Sequence, residues 1–509
     1  MIQTIIYEDE ITLWWDMDEF SSGTTYEFYL DGKLHGATDK THYTFANLQA
    51  DTVYNIELKT NAGKIAFAEA IKTKTTKRRL DITKAPYFAV GDGVTLNTVA
   101  IQNALNDCGE NDCVYVPRGI FLTGALTMFS NTELYLDDGA VLKGSEDPAN
   151  YTPKIKSRFE GIERMCYRSL INMGELDHTA GCTTKNIIIR GKGTIFGGGA
   201  GLKRATIEVE RQLMEVNPDE NAEYIKACEN KDVVPGRARG RLINISNCQN
   251  IIISGLTLGY SASWNVHFVY SKNIVTYGCT ILSHVWKSED GVWDMEDVSN
   301  GDGWDPDSSE DSVIFDTDFY TRDDCVAIKS GKNPEGNMIK RPTKNISVFD
   351  CRGNFSIAVG SEVSGGISDI RVWDCDFFAG TRGFSIKTTR KRGAYIRNVY
   401  VRNCRFPYVM LTSAYKSNDD GVGASDLTVL ENVSFENVDI KGAYPYLDRR
   451  EIFFYTLIVC GFDEEESYFN NIKFKGVRIF SREDEELQSI KIKNVKNLSL
   501  ENIEYVKQD

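Results

Sequence analysis

Short runs in which apolar and polar residues alternate fill most of this chain. A strand points successive side chains to opposite faces, so alternation over about four to eight residues predicts a half-buried strand. Residues 1–78 contain the runs ITLWWDM, TTYEFYLDG, YTFANL, TVYNIELKT and IAFAEAIKT, with turn residues between them. About seven such strands predict a small β-sandwich. The sequence KTTKRR at 74–79 predicts a basic polar linker.

From about residue 81, one pattern recurs: Asn or Asp, an alternating apolar run, Gly or Asn-Cys, and a second short apolar run. Its copies begin at residues 185, 249, 272, 310, 344, 368, 397, 431, 470 and 496. The shortest spacings, 23 to 26 residues, match one coil of a solenoid, and longer ones match a coil with an inserted loop. Because no helices intervene, the pattern predicts a parallel β-helix over residues 79–509, with an Asn ladder that satisfies backbone groups at the turns.

The start of the predicted solenoid carries a different pattern. Residues 88–108, FAVGDGVTLNTVAIQNALNDC, predict a loop followed by a short amphipathic helix, whose N-cap lies near Thr95 or Asn97. We expect this helix to close the open end of the solenoid, because an uncovered coil would expose its apolar core.

Composition excludes several classes of function. The net charge is −15 over 509 residues, without a Lys/Arg run, so nucleic acid is an unexpected partner and a polyanionic substrate would need local positive charge. No apolar run has the length of a membrane span, and no signal-like segment opens the chain, so we expect no membrane association and a cytoplasmic location. The twelve cysteines lack CxxC or zinc-type spacing, which predicts reduced thiols and no metal site.

Acidic residues cluster between Asn300 and Lys332. Asp302, Asp305 and Asp307 lie within a few residues of one another, and the adjacent pair Asp323 and Asp324 follows one supersecondary unit later. Carboxylates that share a desolvated site cannot all ionise freely, so such a cluster can supply both an acid and a base. A solvated acidic loop or a Ca²⁺ site explains the same residues, and the cluster alone leaves these alternatives open.

Several motifs together resemble one known family, glycoside hydrolase family 28, which contains the polygalacturonases and their rhamnogalacturonan-cleaving relatives. The similarity runs from residue 81 to the end of the chain and implies a right-handed parallel β-helix of the pectin lyase type. The N-terminal segment resembles a fibronectin type III module, with Trp14 or Trp15 in its core and a tyrosine corner at Tyr54; a carbohydrate-binding module is the alternative. The family motifs are AVGDGVTLNTVAIQNAL, VYVPRGIFLTGAL, SRFEGIE, NGDGWDPDS, DDCVAIKSG and VGSEVSGG.

The resemblance implies an inverting hydrolase that uses one carboxylic acid and one carboxylate base. By similarity, Asp323 is the general acid, and Asp302 and Asp324 hold and deprotonate the water. Asn300 and Asp305 would orient the loop that carries Asp302. No metal or organic cofactor is implied.

Two positions depart from the family pattern. Asn354 stands where the family has a histidine beside the acid, and it cannot carry a proton. Ser385 replaces the Arg of the RIK motif, although Lys387 remains, so one bidentate partner of a uronate carboxylate is lost. Trp304, His267 and Tyr415 complete the candidate substrate-binding residues.

The predicted function is an inverting hydrolase of pectic oligosaccharides. An insertion with Arg158, Glu160 and Glu163 resembles the wall that blocks one end of the cleft in exo-acting members, so an exo-polygalacturonase-like enzyme with altered subsites is expected. A rhamnogalacturonan- or side-chain-directed hydrolase remains an alternative, as do a Ca²⁺-dependent pectate lyase and a non-catalytic sugar-binding β-helix. The sequence does not predict the oligomeric state.

Overall fold

The computed structural model describes residues 1–20, 23–61, 63–217, 222–283, 285–287, 292–294, 299–416, 420–441, 447–448, 451–452, 456–481 and 490–507. The chain divides into two compact units, Met1–Arg78 and Arg79–Asp509. In the described part of the chain, no helix is both long and apolar enough to span a membrane.

The first unit consists of two small antiparallel sheets, which confirms the predicted β-sandwich. One sheet has the strand order β1–β2–β5 and the other the order β4–β3–β6–β7. Inward residues of both sheets, such as Phe45 and Phe28, form one core, and Trp15 is fully buried in it. The strands are β1 Gln3–Ile6, β2 Glu10–Trp14, β3 Tyr26–Leu30, β4 Lys33–Thr38, β5 His42–Ala46, β6 Val53–Thr60 and β7 Ile65–Lys72.

The second unit is a parallel β-helix, as predicted. Each complete coil contributes one short strand to the first of two sheets, sheet A, and one or two strands to the second, sheet B. The first coils each contribute two strands to sheet B. These two strands are joined into one from the long strand Glu310–Tyr320 onward, and that strand pairs with both strands of the preceding coil. Sheet A contains Leu126–Met128, Ile171–Met173, Ile243–Ser246, Val266–Val269, Trp304–Asp307, Val326–Ile328, Ile357–Gly360, Phe384–Lys387, Val409–Thr412, Leu457–Cys460 and Ile490–Lys493.

Sheet B runs along the same solenoid and buries the opposite side of the core. Its strands are Arg78–Asp81, Asp92–Leu96, Asp112–Val116, Gly119–Thr123, Glu133–Leu136, Ala140–Gly144, Thr184–Gly191, Thr194–Phe196, Cys248–Ser254, Thr257–Gly259, Lys272–Tyr277, Thr280–Leu282, Glu310–Tyr320, Thr343–Gly353, Ile367–Trp373, Tyr395–Phe406, Val429–Ile440, Phe469–Ser481 and Val495–Lys507. Strand pairs outside these sheets are Ile155–Phe159 with Ile162–Cys166, Val285–Lys287 with Val292–Asp294, and Leu447–Asp448 with Glu451–Ile452.

The recurrent Asn residues form a ladder, but their bonds differ from the prediction. Asn186, Asn250 and Asn273 all have positive φ, a conformation that Asn tolerates better than most residues. Their side chains bond to one another from coil to coil, at 3.0 Å between Asn250 and Asn186 and 2.7 Å between Asn273 and Asn250. Each of these Asn residues therefore supplies a left-handed turn and a side-chain hydrogen bond to the next coil. The prediction that the ladder bonds backbone groups is wrong for these three residues.

Four α-helices lie in the described part of this unit: α1 Thr98–Asp107, α2 Gly199–Val216, α3 Ala222–Ala227 and α4 Glu335–Ile339. Helix α1 begins after the N-cap Asn97 and buries Ile101, Ala104 and Leu105 in the solenoid core, as expected of a closing helix. The segment before it is not the predicted loop throughout, because Asp92–Leu96 forms a strand of sheet B. The sequence did not predict α2 and α3, which belong to an insertion between two coils.

Candidate functional site

A cavity of about 740 Å³ lies over the strands of sheet A. Its lining carries many side chains of both positive and negative charge. Such a lining suits a ligand with hydroxyl groups and negative charge better than an apolar ligand. Among the described residues, the acidic lining groups are Glu160, Glu229, Asp302, Asp323, Asp324 and Glu362, and the basic ones are Lys329, Lys332, Lys387 and Lys416.

The register of sheet A brings the three predicted catalytic aspartates together. Trp304 pairs with Val326 on the next coil. Asp302 and Asp324 each lie two residues before this pair, so they are aligned with each other on neighbouring coils. The backbone nitrogen of Gly303 donates to the carbonyl oxygen of Asp324 at 3.0 Å, which continues this alignment beyond the strand. Neighbouring strands are about 4.8 Å apart, so residues that are 22 positions apart in the sequence face one cavity.

Asp323 and Asp324 have opposite electrostatic environments. Burial and the charge of Asp324 raise the pKa of Asp323, and they outweigh the opposing charges of nearby cations. Burial acts in the same direction on Asp324, but Lys387 Nζ lies 2.8 Å from its Oδ2 atom and Ser356 donates to its Oδ1 atom. These contacts hold the pKa of Asp324 below its usual range. The pair therefore combines a carboxyl group that binds its proton more tightly than usual with one that ionises more readily, and acid–base hydrolysis needs such a difference.

Asp302 is paired with Lys329, a residue that the sequence did not single out. Lys329 Nζ lies 3.0 Å from Asp302 Oδ2, 3.6 Å from Asp305 Oδ1 and 3.7 Å from the ring centre of Trp264. Burial raises the pKa of Asp302 to about 7, with a further contribution from the charges of Asp323 and Asp324, although Lys329 acts in the opposite direction. The two carboxylates in turn raise the pKa of Lys329, which stays charged.

Two predicted site residues lie beneath the cavity floor. Asp305 and His267 are adjacent in sheet A and fully buried, and neither lines the cavity. His267 contacts the ring of Trp264 and lies 3.5 Å from Asp307 Oδ2, while burial lowers its pKa to about 3. The prediction that His267 binds substrate directly is therefore wrong for this structure. Asp305 does not reach the cavity either, and it contacts Lys329, which lines the cavity.

The substrate-binding role expected for Trp304 is also wrong. Its ring is fully buried in the solenoid core, where it contacts Phe268 and donates from Nε1 to Thr276 at 3.1 Å. The period of two along a strand explains this position: because Asp305 points outward, Trp304 must point inward.

Asn300 and Tyr415 line the cavity, as expected. Asn300 Oδ1 accepts from Arg239 Nη2 at 2.8 Å, which anchors the loop that leads into Asp302. The ring of Tyr415 lies 5.0 Å from Lys387 Nζ, so it covers the ion pair of that lysine with Asp324.

Asn354 and Ser385 lie near the site but do not line the cavity. Both ends of the Asn354 amide bond the backbone of Thr321, at 2.9 Å and 3.0 Å, so its role is to join two coils behind Asp323. Ser385 is almost fully buried in sheet A between Ala358 and Met410. Neither residue is placed to bind substrate directly, which corrects that part of the prediction.

Charged residues from three separate segments meet at one end of the cavity, which Glu160 and Lys332 line. Glu160, at the tip of the hairpin Ile155–Cys166, accepts from Arg237 at 2.8 Å. Asp420 accepts from Lys332 Nζ at 2.9 Å and lies 2.8 Å from Arg237 Nη2. The hairpin, the insertion after α3 and the segment around Asp420 are thereby linked. Of these residues the sequence indicated only Glu160, and the sequence pattern gave no signal for the others.

The pKa of Asp302 predicts how the stability of the protein depends on pH. Because the folded-state pKa, about 7, exceeds the ordinary value of 3.8, this group stabilises the fold at low pH, and the contribution is lost as pH rises through 7. Relative to wild type, Asp302→Asn should become more stable as pH rises from about 4 to 7. Urea unfolding at several pH values measures this difference.

Asp307→Asn is the matched control for this experiment. Arg158 Nη1 lies 2.7 Å from Asp307 Oδ1, and it holds the pKa of Asp307 well below its usual range against the effect of burial. The contribution of Asp307 is therefore fully present above its ordinary pKa of 3.8 and is lost only as pH falls below that value, so the cost of its replacement should stay nearly constant between about pH 4 and 7. Equal pH dependence of the two variants would contradict the assignment.

Comparison with known proteins places this geometry in a family. A probable polygalacturonase of Vitis vinifera is 35% identical over 62% of this chain, which spans 58% of that relative. An exo-poly-alpha-D-galacturonosidase of Dickeya chrysanthemi is 25% identical over 94% of this chain and 90% of its own length.

A solved family 28 exopolygalacturonase of Yersinia enterocolitica has a TM-score of 0.74 at 20% identity, covering 100% of this chain and 99% of its own. At that identity, the likeness shows the fold. The family model described as glycosyl hydrolases family 28 matches residues 145–447, more than half of the chain and all of the residues that line the cavity. The chain thus belongs to glycosyl hydrolases family 28 and is a glycosidase that acts on O-glycosidic bonds.

Proposed function

We propose that this protein is an inverting exo-hydrolase of galacturonate-containing pectic oligosaccharides. The observation that carries the proposal is the pair Asp323 and Asp324, whose pKa values shift in opposite directions, in a cavity at one end of which Arg237 joins Glu160 to Asp420. We interpret this end as closed. A closed end admits a chain terminus and excludes a continuous polymer. Relatives named as exo-acting galacturonosidases support this proposal.

The residues divide the chemistry between them. Asp323 donates its proton to the glycosidic oxygen, and the departing sugar leaves as an alcohol. Asp324 and Asp302 hold a water on the opposite face and take its proton as it attacks the anomeric carbon, so that the configuration inverts. The raised pKa of Asp302 suits a base that works near neutral pH.

The cations of the cavity favour a uronate. Lys387 and the exposed Lys416 line it, and the charge of Arg382 acts on both Asp323 and Asp324. Two other arginines that follow Lys387 in the sequence could in principle replace the missing arginine of the RIK motif, but both have other partners. Arg390 pairs with Glu464, and Arg392 donates to Ser361 and Asn333. We therefore expect uronate recognition to rest on lysines, with an altered subsite near Ser385.

Product analysis tests this proposal. The enzyme is incubated with oligogalacturonides of increasing length, labelled at the reducing end, and with rhamnogalacturonan I and II oligomers. Release of one short product of constant size, whatever the substrate length, supports exo cleavage of galacturonate chains, and proton NMR of the first product anomer reports inversion. Cleavage of the rhamnogalacturonan oligomers alone, cleavage within the chain, or ultraviolet-absorbing unsaturated products that vanish with a chelator would each contradict it.

We infer a fibronectin type III-like module for residues 1–78. The strand orders β1–β2–β5 and β4–β3–β6–β7 support this inference, as does a tyrosine corner in which the Tyr54 hydroxyl accepts from the Gln49 backbone nitrogen at 2.9 Å.

Tyr54→Phe tests the corner. Loss of this hydrogen bond should destabilise the first unit by about 1 kcal/mol. Hydrogen exchange followed by mass spectrometry should then show amides of residues 1–78 exchanging several-fold faster, while peptides from residues 79–509 stay unchanged. Tyr400→Phe, a partly exposed tyrosine of the second unit, serves as the control.

We also propose a cytoplasmic location, where imported oligosaccharides would be the substrates. The twelve cysteines, all in the described part of the chain, are free thiols, and ten of them are buried. Free thiols in this number fit a reducing compartment. Fractionation of cells that make the protein from its own gene tests this, and recovery outside the cytoplasm would contradict it.

A further inference from the structure

A carboxyl group lines the cavity without a hydrogen-bond partner for one of its oxygens. Glu362 follows the sheet A strand Ile357–Gly360 by two residues, and its Oε2 atom is shielded from solvent. Among the described residues, that atom has no hydrogen-bond partner. Because buried polar atoms in folded proteins are nearly always hydrogen-bonded, an unpaired acceptor in a binding cavity points to a donor on the ligand.

The backbone around Glu362 is firmly held. The carbonyl oxygen of Glu362 accepts from the backbone nitrogen of Ser330 at 2.7 Å. The preceding carbonyl, of Ser361, accepts from Arg392 Nε at 2.9 Å, and Arg392 is fully buried. The side chain therefore projects into the cavity from a fixed anchor, as a specificity-determining residue requires.

The surrounding charges define which group Glu362 can bind. Lys329 and Lys332 attract its carboxylate, while Asp307 and Glu160 repel it, and burial raises its pKa. Lys329 is already paired with Asp302, and Lys332 Nζ lies 2.9 Å from Asp420 Oδ2. A ligand carboxylate placed here would meet negative charge, whereas a sugar hydroxyl can donate to Oε2 without adding charge.

The same charges locate Glu362 along the cavity. It interacts with Lys329, which supports the catalytic Asp302, and with Lys332 and Glu160 of the closed end. It therefore lies between the catalytic carboxylates and the closed end. The terminal sugar of an exo-cleaved chain would occupy this part of the cavity.

We propose that Glu362 binds a ring hydroxyl of the terminal sugar and thereby selects a sugar with a hydroxyl at that position. This inference rests on the proposed exo cleavage of galacturonate chains, and it adds a recognition residue that does not take part in the proton transfers. Its effect should therefore fall mainly on KM, with kcat less affected.

The test pairs enzyme variants with modified substrates. Wild type, Glu362→Ala and Glu362→Gln are assayed on trigalacturonate and on analogues in which the terminal residue lacks one ring hydroxyl at a time. Product analysis on wild type first establishes which end is released. Glu335→Ala is the matched control, because Glu335, like Glu362, is a partly buried acid with a raised pKa but does not line the cavity.

On intact trigalacturonate, Glu362→Ala should lose about 10- to 100-fold in kcat/KM, the range for a hydrogen bond to a charged group, and Glu362→Gln should lose less. At least one deoxy analogue should be cleaved about tenfold or more poorly by wild type, yet almost as well as trigalacturonate by Glu362→Ala. Glu335→Ala should discriminate as wild type does.

Two results would overturn the inference, and they are distinguishable. If wild type cleaves trigalacturonate but Glu362→Ala shows the same loss as wild type on every deoxy analogue, only the role of Glu362 fails. If wild type cleaves no oligogalacturonide, the proposed function fails and the role of Glu362 with it. Circular dichroism and thermal unfolding of each variant exclude loss of the fold as the cause.

Discussion

Asp323→Asn is expected to lower kcat by about 10²- to 10⁴-fold, the usual contribution of a general acid. The amide keeps the shape of the side chain but cannot protonate the departing oxygen. Burial and the neighbouring charge of Asp324 raise the pKa of Asp323 and so favour its protonated form, whereas the variant has no proton to give. Hydrolysis of trigalacturonate under saturating conditions measures the loss.

The leaving group distinguishes the role of Asp323 from that of Asp324. A 4-nitrophenyl galacturonide needs little protonation of its leaving group, so Asp323→Asn should regain much of its rate on that substrate. Asp324→Asn should not regain its rate on that substrate, because the attacking water still lacks one of the two carboxylates that hold and deprotonate it. The reverse result would exchange the two assignments.

Asp318→Asn is the control for these variants. Asp318 lies in the same part of the solenoid, but it is well exposed and forms an ion pair with Arg352 on the surface. Its replacement should change kcat by less than about twofold, since surface pairs contribute about 0–1 kcal/mol.

Lys329→Met is expected to destabilise the protein by about 3–5 kcal/mol and to abolish activity, the usual result of removing one partner of a buried charge group. Lys329 is 5% exposed, and its loss leaves Asp302 and Asp305 without their shared cation. The free energy of unfolding, from urea titration at pH 7, measures the change.

Lys344→Met provides the matched control. Lys344 Nζ lies 2.8 Å from Glu310 in an ion pair whose side chains are 49% and 36% exposed, so its loss should cost less than about 1 kcal/mol. In the double variant Lys329→Met/Asp302→Asn, one uncompensated carboxylate is removed, and part of the stability should return without activity. Equal stability of Lys329→Met and wild type would show that Lys329 does not compensate the buried acids.

The sequence predicted the fold class because solenoid stacking leaves a local signature. Each coil repeats the alternation and the Asn at the turn, so the β-helix could be inferred without knowledge of long-range contacts. The sequence also indicated that Asp302, Asp323 and Asp324 would lie together, and the structure places all three at one cavity; their catalytic roles stay a prediction that rests on the family resemblance. The error at Trp304 was avoidable, since its alternation with Asp305 in one strand already assigned the two side chains to opposite faces.

Other features of the site depend on contacts between segments that are far apart in the sequence. Lys329 pairs with Asp302 across one coil, 27 residues away, and Arg237 joins Glu160 to Asp420 across insertions of irregular length. No local pattern encodes such partners. The insertions do not repeat, so sequence periodicity carries no information about where they fold back.

By itself, the sequence determined that this protein is a β-helix with an acidic cluster, because strand alternation and motif spacing are local properties of the chain. Only the tertiary structure decided in which direction the pKa of each carboxyl group shifts, which residues meet at one end of the cavity, and which candidates lie beneath its floor. Each of these depends on burial and on the distance to a charge from another coil, and both arise only when the coils are stacked.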